Sequence, residues 1–458
     1  MKSTISNFCT LDQVMVTQRD LDDVVSFDES GQQTWQHFCD SVSALSGQLN
    51  DLPIQKFAIC AQDSYWFAVA FMACTQTDKQ IVLPGNYQPS ALKELAIHFD
   101  GLLHDQAVAP IASIFNIHLG DLPHRKAHFK FKELNLNLSS LTLFTSGSSG
   151  TPKAISKSLK EISIELEQLE SQWGSQICGT HIHSTVSQQH IYGLLFRLLW
   201  PLCAHRPFSR QNLEFPEQVS RIANDNCVLI SSPALLKRMT EDDSSDNMRA
   251  VFSSGGPLSN EASSQALELF GALPYEVFGS TETGGIAFRQ QWTPTTPWTL
   301  FDCIQATLNQ ENCLRLKSPY IDNNHWYQTA DECELINERQ FILKGRTDRV
   351  IKIEEKRISL VEVEKRLEQL EWISESVVVP FEQDNRLILA SILVLSDSGK
   401  LKLEQLGKGK FWLLLRKELR EWLEPIAIPR RYRIQEEIPL NSQGKRLMSV
   451  IEKQLTHE

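Results

Sequence analysis

Polar and apolar positions alternate along this chain with periods that change from segment to segment. The short apolar runs Phe57–Cys60, Val228–Ile230 and Ala250–Phe252 predict buried strands that run into loops. Trp66–Cys74 is apolar on every face, which predicts a buried helix or strand that periodicity does not separate. Ser158-Leu-Lys-Glu161 has the spacing of a capping box, and the helix it opens places Ile162, Leu166, Leu169 and Trp173 on one side. The Pro/Thr-rich stretch Trp292–Trp298 reads as a connection. Strand-like segments follow near Cys313–Lys317, Glu334–Ile336 and Phe341–Leu343. A boundary falls near Arg346–Arg349. Beyond it, Val350–Ile353 predicts a strand, and Ser359-Leu-Val-Glu362 opens a helix with Leu360, Val363, Leu367 and Leu370 on one side. Strands at Val377–Val379 and Leu387–Leu395 and a helix through Phe411–Leu423 complete the pattern. The expected fold class is therefore α/β. A large multi-layer N-terminal domain, residues 1–347, precedes a smaller α+β C-terminal domain, residues 348–458.

Composition narrows the function classes. The 458 residues are 41% hydrophobic and 22% charged, as in an ordinary globular protein, and no apolar run has the length of a membrane span. The N-terminus, Met1-Lys-Ser-Thr-Ile-Ser-Asn7, lacks the apolar core of a signal peptide. Ten cysteines without a C-x-x-C pair predict a reduced, cytoplasmic protein rather than a disulfide framework or a zinc site. A net charge of −11 argues against a nucleic-acid partner. The last 59 residues differ, with 13 basic against 8 acidic side chains, and would suit an acidic or phosphate-bearing partner. His181-x-His183 has the alternation of a strand, and that reading is preferred over a metal pair.

The segment most telling of chemistry is Leu141-Thr-Leu-Phe-Thr-Ser-Gly-Ser-Ser-Gly-Thr-Pro-Lys153. An apolar, β-prone run leads into Thr145, Ser146, Gly147, Ser148, Ser149, Gly150 and Thr151, and then Lys153. Small residues let backbone N–H groups curl around an anion, hydroxyls add donors, and a lysine neutralises charge, which suits a polyphosphate. A P-loop would need Gly directly before Lys, where this chain has Pro152, and the dinucleotide fingerprint G-x-G-x-x-G is missing. A P-loop kinase or NTPase therefore fails on spacing.

The segment resembles the phosphate loop of adenylate-forming enzymes: acyl-CoA synthetases, aryl-CoA ligases, luciferases and peptide-synthetase adenylation domains. Further segments carry the same resemblance in order. Phe252-Ser-Ser-Gly-Gly-Pro-Leu258 is similar to the segment lining the adenine and acyl pocket, where Gly255 and Gly256 would let the nucleotide approach the backbone. In Val277-Phe-Gly-Ser-Thr-Glu-Thr-Gly284 the resemblance implies that Phe278 stacks on adenine, Thr281 touches the α-phosphate and Glu282 holds Mg²⁺. Tyr327-Gln-Thr-Ala-Asp331 resembles a motif whose Asp accepts from the ribose hydroxyls, with Ala330 replacing a usual Gly. Gly345-Arg-Thr-Asp-Arg-Val-Ile-Lys352 resembles the hinge motif. There Arg346 would reach the nucleotide, and Asp348 would be the point about which a mobile C-terminal domain swings. Glu355 stands where the family has Gly beside the thiol channel, a departure that bears on the acceptor. Pro439-Leu-Asn-Ser-Gln-Gly-Lys445 resembles the C-terminal motif whose lysine bridges the substrate carboxylate and the α-phosphate. The resemblance runs from about Leu141 to about Lys453 and is weak before that.

Ser187-Gln-Gln-His-Ile-Tyr-Gly-Leu194 falls where that family's acyl-pocket helix begins, so His190 joins Gly255 and Gly279 as candidate acyl-pocket residues. No Asp lies between His181 and Arg197 to pair with a substrate ammonium, which favours a carboxylic acid without an α-amino group. The resemblance implies ATP and Mg²⁺ as cofactors. It also implies a two-step reaction: acyl-AMP with release of pyrophosphate, then transfer to the thiol of CoA or of carrier-protein phosphopantetheine. Glu355 and the basic C-terminal end tilt the acceptor toward an acyl carrier protein, docked as partner to a monomer or homodimer. The alternative is a catalytically silent regulatory protein of the same fold that binds nucleotide or acyl ligand. Retention of Lys153, Glu282 and Lys445 speaks against it.

Overall fold

The computed structural model describes residues 7–122, 129–137, 140–146, 152–243, 247–256, 258–346, 349–354, 356–384, 386–439 and 448–456, with backbone alone at 146, 322–324, 346, 448–449 and 456. The chain divides into two compact units. The first comprises Met1–Gly85, Ala96–Phe144 and Ala154–Thr347, and the second Asn86–Leu95, Thr145–Lys153 and Asp348–Glu458.

Two sheets organise the first unit among the described residues. A 6-stranded sheet has the spatial order Phe115–His118, Gly101–His104, Lys56–Cys60, Gln80–Leu83, Ser140–Ser146, Pro152–Ser158, and its first five strands pair in parallel. A 13-stranded sheet has a parallel centre, in which Tyr275–Ser280, Ala250–Ser253, Cys227–Ser231, His181–Ser184, Phe208–Ser209 and Val24–Asp28 lie side by side. Antiparallel strands continue it on one flank, from Gly284–Gln290 through Trp298–Leu300 and Gln340–Arg346 to Asp322–Leu335, Cys313–Ser318 and Gln305–Leu308. Strands covered on both faces read as continuous apolar runs, which is why Val228–Ile230 and Ala250–Phe252 show no alternation.

Trp66–Cys74 is resolved as a helix, Ser64–Gln76, whose N-cap Asp63 accepts from the N–H groups of Tyr65 and Trp66. Nearly all of it is buried, so no amphipathic period exists to read. The capping box at Ser158 forms in both directions: Ser158 Oγ accepts from Glu161 N–H, and the Glu161 carboxylate accepts from Ser158 N–H at 2.7 Å. The helix it starts, Leu159–Trp173, buries Ile162, Leu166, Leu169 and Trp173. Trp173 is the hub of the core, with the rings of Phe196, Trp200, Phe252, Tyr275, Phe288 and Phe301 at centroid distances of 5.1–6.5 Å.

The second unit pairs Val350–Ile353 with Lys356–Ser359. It also joins Ile373–Gln383, Arg386–Leu395 and Arg431–Gln435 in a 3-stranded sheet covered by helices. Ser359 Oγ caps the helix Leu360–Glu368, which ends before Leu370, so Leu370 packs from beyond the helix rather than within it. The last predicted helix starts earlier than its apolar run suggests. Helical residues span Asp397–Arg420 with a break at Gly407, whose φ is +72°. Lys and Gln side chains in the added turns hid the signal. Arg349, next to the expected hinge position, makes a bidentate pair with the buried carboxylate of Glu364 at 2.7 and 2.9 Å, tying the hairpin to the helix.

His181 and His183 lie on one face of their strand, where both rings pack against Phe27 at 5.2 and 5.0 Å. No cluster of three or more His, Cys, Asp or Glu side chains suited to a metal occurs among the described residues, and all ten cysteines are free. Among the same residues, no helix is long and apolar enough to cross a membrane. Burial, with help from the neighbouring His181, pushes the His183 imidazole down to about 4. The fold favours neutral His183, so its contribution is present above the ordinary value of 6.5 and is lost as pH falls from there toward 4. Thermal melts from pH 7.5 to 4 are expected to show a shallower acid loss in His183→Gln than in wild type, by about 1–2 kcal/mol at the acid end.

Candidate active site

In an open sheet with parallel strands, ligands bind beyond the carboxyl ends of the strands. The register of the 13-stranded sheet brings three such ends together, and a fourth strand, Tyr275–Ser280, runs four residues past them. Ser184 is level with Ile230, Ser231 with Ser253, and Ser253 with Glu276. The residues that follow the first three strands line one edge, Thr185–His190, Ser232 and Ser254–Gly256, and the last residues of the fourth strand with its turn, Phe278–Glu282, extend beyond them. Ser254 Oγ donates to Val277 O at 2.8 Å, which fixes the residue after Ala250–Ser253 to the strand backbone just before Phe278.

Each segment has a local reason for its shape. Gly255 holds φ at +91°, a conformation that side chains disfavour. Gly279 sits where the hairpin closes so tightly that an added Cβ would lie 2.2 Å from Gly284 O. Within the turn, Ser280 and Thr283 exchange bonds: Thr283 Oγ1 accepts from Ser280 N–H at 3.0 Å, and Ser280 Oγ accepts from Thr283 N–H at 3.2 Å. Thr281 is buried and Glu282 half-buried. The Phe278 ring packs against Trp298 and Phe341 at 5.4 and 5.8 Å and stays partly exposed.

His190 begins the short helix Ile191–Gly193, which runs into a π-helical stretch, Leu194–Leu199. The preceding residues are pinned from two sides. Gln188 donates to Ala61 O at 2.8 Å and Gln189 to Ile59 O at 3.0 Å, so the segment rides on the end of the strand Lys56–Cys60. From the other side the fully buried Arg197 donates to Val186 O at 2.8 Å. Asp331 is buried in the strand Asp322–Leu335 opposite Arg346, and its N–H donates to Thr329 Oγ1 at 3.1 Å.

Of the phosphate-loop candidates, Thr145 is half-buried at the end of its strand and Lys153 is exposed. Gly147, Ser148, Ser149, Gly150 and Thr151 lie outside the described residues, as do Asp348, Glu355 and Lys445, and the side chains of Ser146 and Arg346.

The pattern of residues missed a buried layer behind the turn. Lys157 Nζ donates to Glu282 O at 2.8 Å and to Tyr320 O at 2.6 Å. Glu165 Oε1 accepts from Gly285 N–H at 2.6 Å. Burial pushes the Glu165 carboxyl up to about 7, against the pull of the Gly285 amide and of Lys157. Burial likewise pushes the Lys157 ammonium down, opposed chiefly by Glu165. The Tyr320 hydroxyl, 3.0 Å from Cys303 Sγ, is driven far up by burial. One signal was available: Glu165 falls between Ile162 and Leu169 at helical spacing, a charge inside an apolar stripe.

Residues 116–311 match the AMP-binding enzyme family. The chain is 25% identical over 316 residues, 67% of this chain and 75% of the relative, to 4-coumarate–CoA ligase from Halorhodospira halophila. It is 30% identical over 141 residues, 31% of this chain and 26% of the relative, to D-alanine–D-alanyl carrier protein ligase from Staphylococcus haemolyticus. The latter match thus spans only about a quarter of that protein. In fold, the chain is similar to the amide bond synthetase of Marinactinospora thermotolerans, with a TM-score of 0.76 at 16% identity over 97% of this chain and 99% of the other.

Gly284 holds the turn at a φ of +65°, and a Cβ there would stand 2.6 Å from Glu165 Oε2 and 3.0 Å from the Tyr320 ring. Gly284→Ala is expected to cost about 2–4 kcal/mol in a denaturant titration, combining backbone strain with overpacking.

Proposed function

We propose that the chain is an ATP-dependent acid–thiol ligase that activates a carboxylic acid as its adenylate. The observation that carries this reading is the bond from Ser254, at the end of its strand, to the backbone of Val277 just before Phe278–Glu282, within the residues that match the AMP-binding enzyme family. In the first step a carboxylate oxygen attacks the α-phosphorus of ATP, the bond to the β-phosphate bridging oxygen breaks, and pyrophosphate leaves. In the second a thiol sulfur attacks the acyl carbon, AMP leaves, and the thiol proton passes to solvent. Adenylation turns a poor leaving oxide into AMP, and binding holds both reactants in line.

In this reading Phe278 offers its free ring face to adenine and Asp331 accepts from the ribose hydroxyls. Thr281 donates to the α-phosphate, and Thr145–Thr151 with Lys153 hold the outer phosphates. Glu282 is the residue that would hold Mg²⁺: it is a half-buried carboxylate on a turn fixed from behind, and a hard dication takes carboxylate oxygens and neutralises phosphate charge. Arg346 would reach the ribose and phosphate side of the nucleotide, and Lys445 would bridge the substrate carboxylate and the α-phosphate. Residues 348–458, hinged at Asp348, would bring Lys445 in for the first step and withdraw it for the second.

The absence of an Asp between His181 and Arg197 favours an acid without an α-amino group, with His190, Gly255 and Gly279 at the acyl pocket. Relatives named for CoA and for a carrier protein support a thiol acceptor of pantetheine type. The test is pyrophosphate release over aliphatic, aryl and amino acids, D-alanine included, with CoA or a phosphopantetheinylated carrier protein added. Acid-dependent release is expected. Nucleotide binding without release for any acid overturns the reading in favour of a silent regulatory protein.

Lys445→Ala is expected to lower adenylate formation about a hundredfold or more, while transfer from pre-made acyl-AMP changes far less, because this charge acts on the first step. ATP–pyrophosphate exchange and single-turnover thioester formation check it. Glu282→Gln is expected to move the Mg²⁺ requirement to higher concentration, an amide being a poorer ligand for a hard dication. A Mg²⁺ titration of the initial rate reads the shift.

A further inference from the structure

Two charged side chains behind the Thr281–Glu282 turn play no part in the chemistry described so far. Lys157 and Glu165 are each 3% exposed. Lys157 rises from the strand Pro152–Ser158, four residues past the phosphate-loop lysine, and spends two of its donors on backbone oxygens, Glu282 O at 2.8 Å and Tyr320 O at 2.6 Å. Glu165, from the helix Leu159–Trp173, binds the other end of the same turn through Gly285 N–H at 2.6 Å. Gly284, between the two attachment points, admits no Cβ because Glu165 occupies the space.

Packing alone gives no reason for this arrangement. Taking an ammonium and a carboxylate out of water costs several kcal/mol each, and apolar residues of similar volume often serve stability as well or better. What an apolar pair lacks is the ability to hold backbone carbonyls in fixed places. Carbonyl oxygens gathered around a small monovalent cation, with a carboxylate as counter-charge, form the kind of shell in which protein oxygens replace an ion's hydration. Here the cation is covalently attached.

We propose that Lys157 is a positioning residue for the Ser280–Gly285 turn, its ammonium acting as a tethered monovalent cation on the Glu282 and Tyr320 carbonyls, with Glu165 as counter-charge and second anchor. The proposal rests on the adenylation reading, which places Thr281 and Glu282 on ATP. Neither Lys157 nor Glu165 touches substrate. They act by fixing where the Thr281 hydroxyl and the Glu282 carboxylate stand, and a displacement of about 1 Å in such groups costs about a hundredfold in rate.

The experiment is acid-dependent ATP–pyrophosphate exchange by the full chain, read for kcat and for the KM of Mg·ATP and of the acid. Wild type is compared with Lys157→Ala, Lys157→Met and Glu165→Gln, and circular dichroism reports folding. Lys157→Ala is expected to lose about tenfold or more in kcat with a raised KM for Mg·ATP. Ammonium or methylammonium chloride restores activity several-fold, whereas tetramethylammonium chloride at equal ionic strength, too bulky for the vacated site, does not. Lys157→Met, whose side chain fills the space without a charge, loses activity and is not restored. Glu165→Gln keeps an acceptor for Gly285 N–H but removes the counter-charge, and raises the KM for Mg·ATP while leaving that for the acid unchanged.

Three results overturn the inference: a Lys157→Ala enzyme that matches wild type, a loss that small and bulky ammonium ions restore equally or not at all, and, where the lysine variants do not fold, a Glu165→Gln enzyme with unaltered Mg·ATP kinetics. A wild-type chain silent toward every acid instead overturns the adenylation reading itself, so the two failures are told apart.

Discussion

Burial of Trp173 among six aromatic rings is the contact on which the rest of the first unit depends. The rings come from Phe252 and Tyr275 on adjacent parallel strands, Phe288 and Phe301 beyond them, and Phe196 and Trp200 in the π-helical region and the short helix after it. One side chain thus packs a helix against both the parallel centre and the antiparallel flank of the sheet. Aromatic pairs of this kind add about 0.5–1.5 kcal/mol each beyond area burial, and their preferred tilts fix orientation as well as distance. Once the end of the helix is set, the position of Glu165, eight residues earlier and about 12 Å along the axis, is set too. The hydrophobic core and the polar support of the turn therefore share one rigid element.

That sharing leaves the turn little freedom to move. Its carbonyls and amides are held by Lys157 and Glu165 from behind, by the Ser280–Thr283 exchange within, and by the Gly279–Gly284 close approach across the hairpin. Groups aimed at developing charge act most strongly when they need not reorganise during the reaction. A half-buried Glu282 on a backbone held at both ends meets that requirement. The same carboxylate on a free loop would first have to be ordered.

The sequence was most legible where one local rule acts alone. The capping box at Ser158 and the apolar stripe behind it predicted the helix and its buried face, because both depend on neighbours three and four residues away. The parallel strands at Phe57–Cys60, Val228–Ile230 and Ala250–Phe252 were readable as unbroken apolar runs. Trp66–Cys74 was not, since a helix buried on all sides has no period. The helical turns before Phe411 were hidden by their charged residues and by Gly407. Leu370 was assigned to a helix that stops two residues short of it, an error of the size expected where ends are set by capping geometry rather than pattern.

The candidate site shows the same division. Gly255, Gly279, Thr281, Glu282 and Asp331 were readable as motif positions because each belongs to a short contiguous segment. Lys157 was passed over as one polar residue in a strand, and Glu165 as one charge in a helix. Their meaning lies in contacts 125 and 120 residues away along the chain, with Glu282 and Gly285. Motifs record what faces the ligand, because a ligand demands particular atoms at particular spacings. The groups that hold those motifs in place answer only to the backbone behind them, and can be supplied from any element the fold brings near. Support residues are therefore found by asking why a buried charge is present, and here that question leads from a helix stripe to the turn that carries the proposed magnesium ligand.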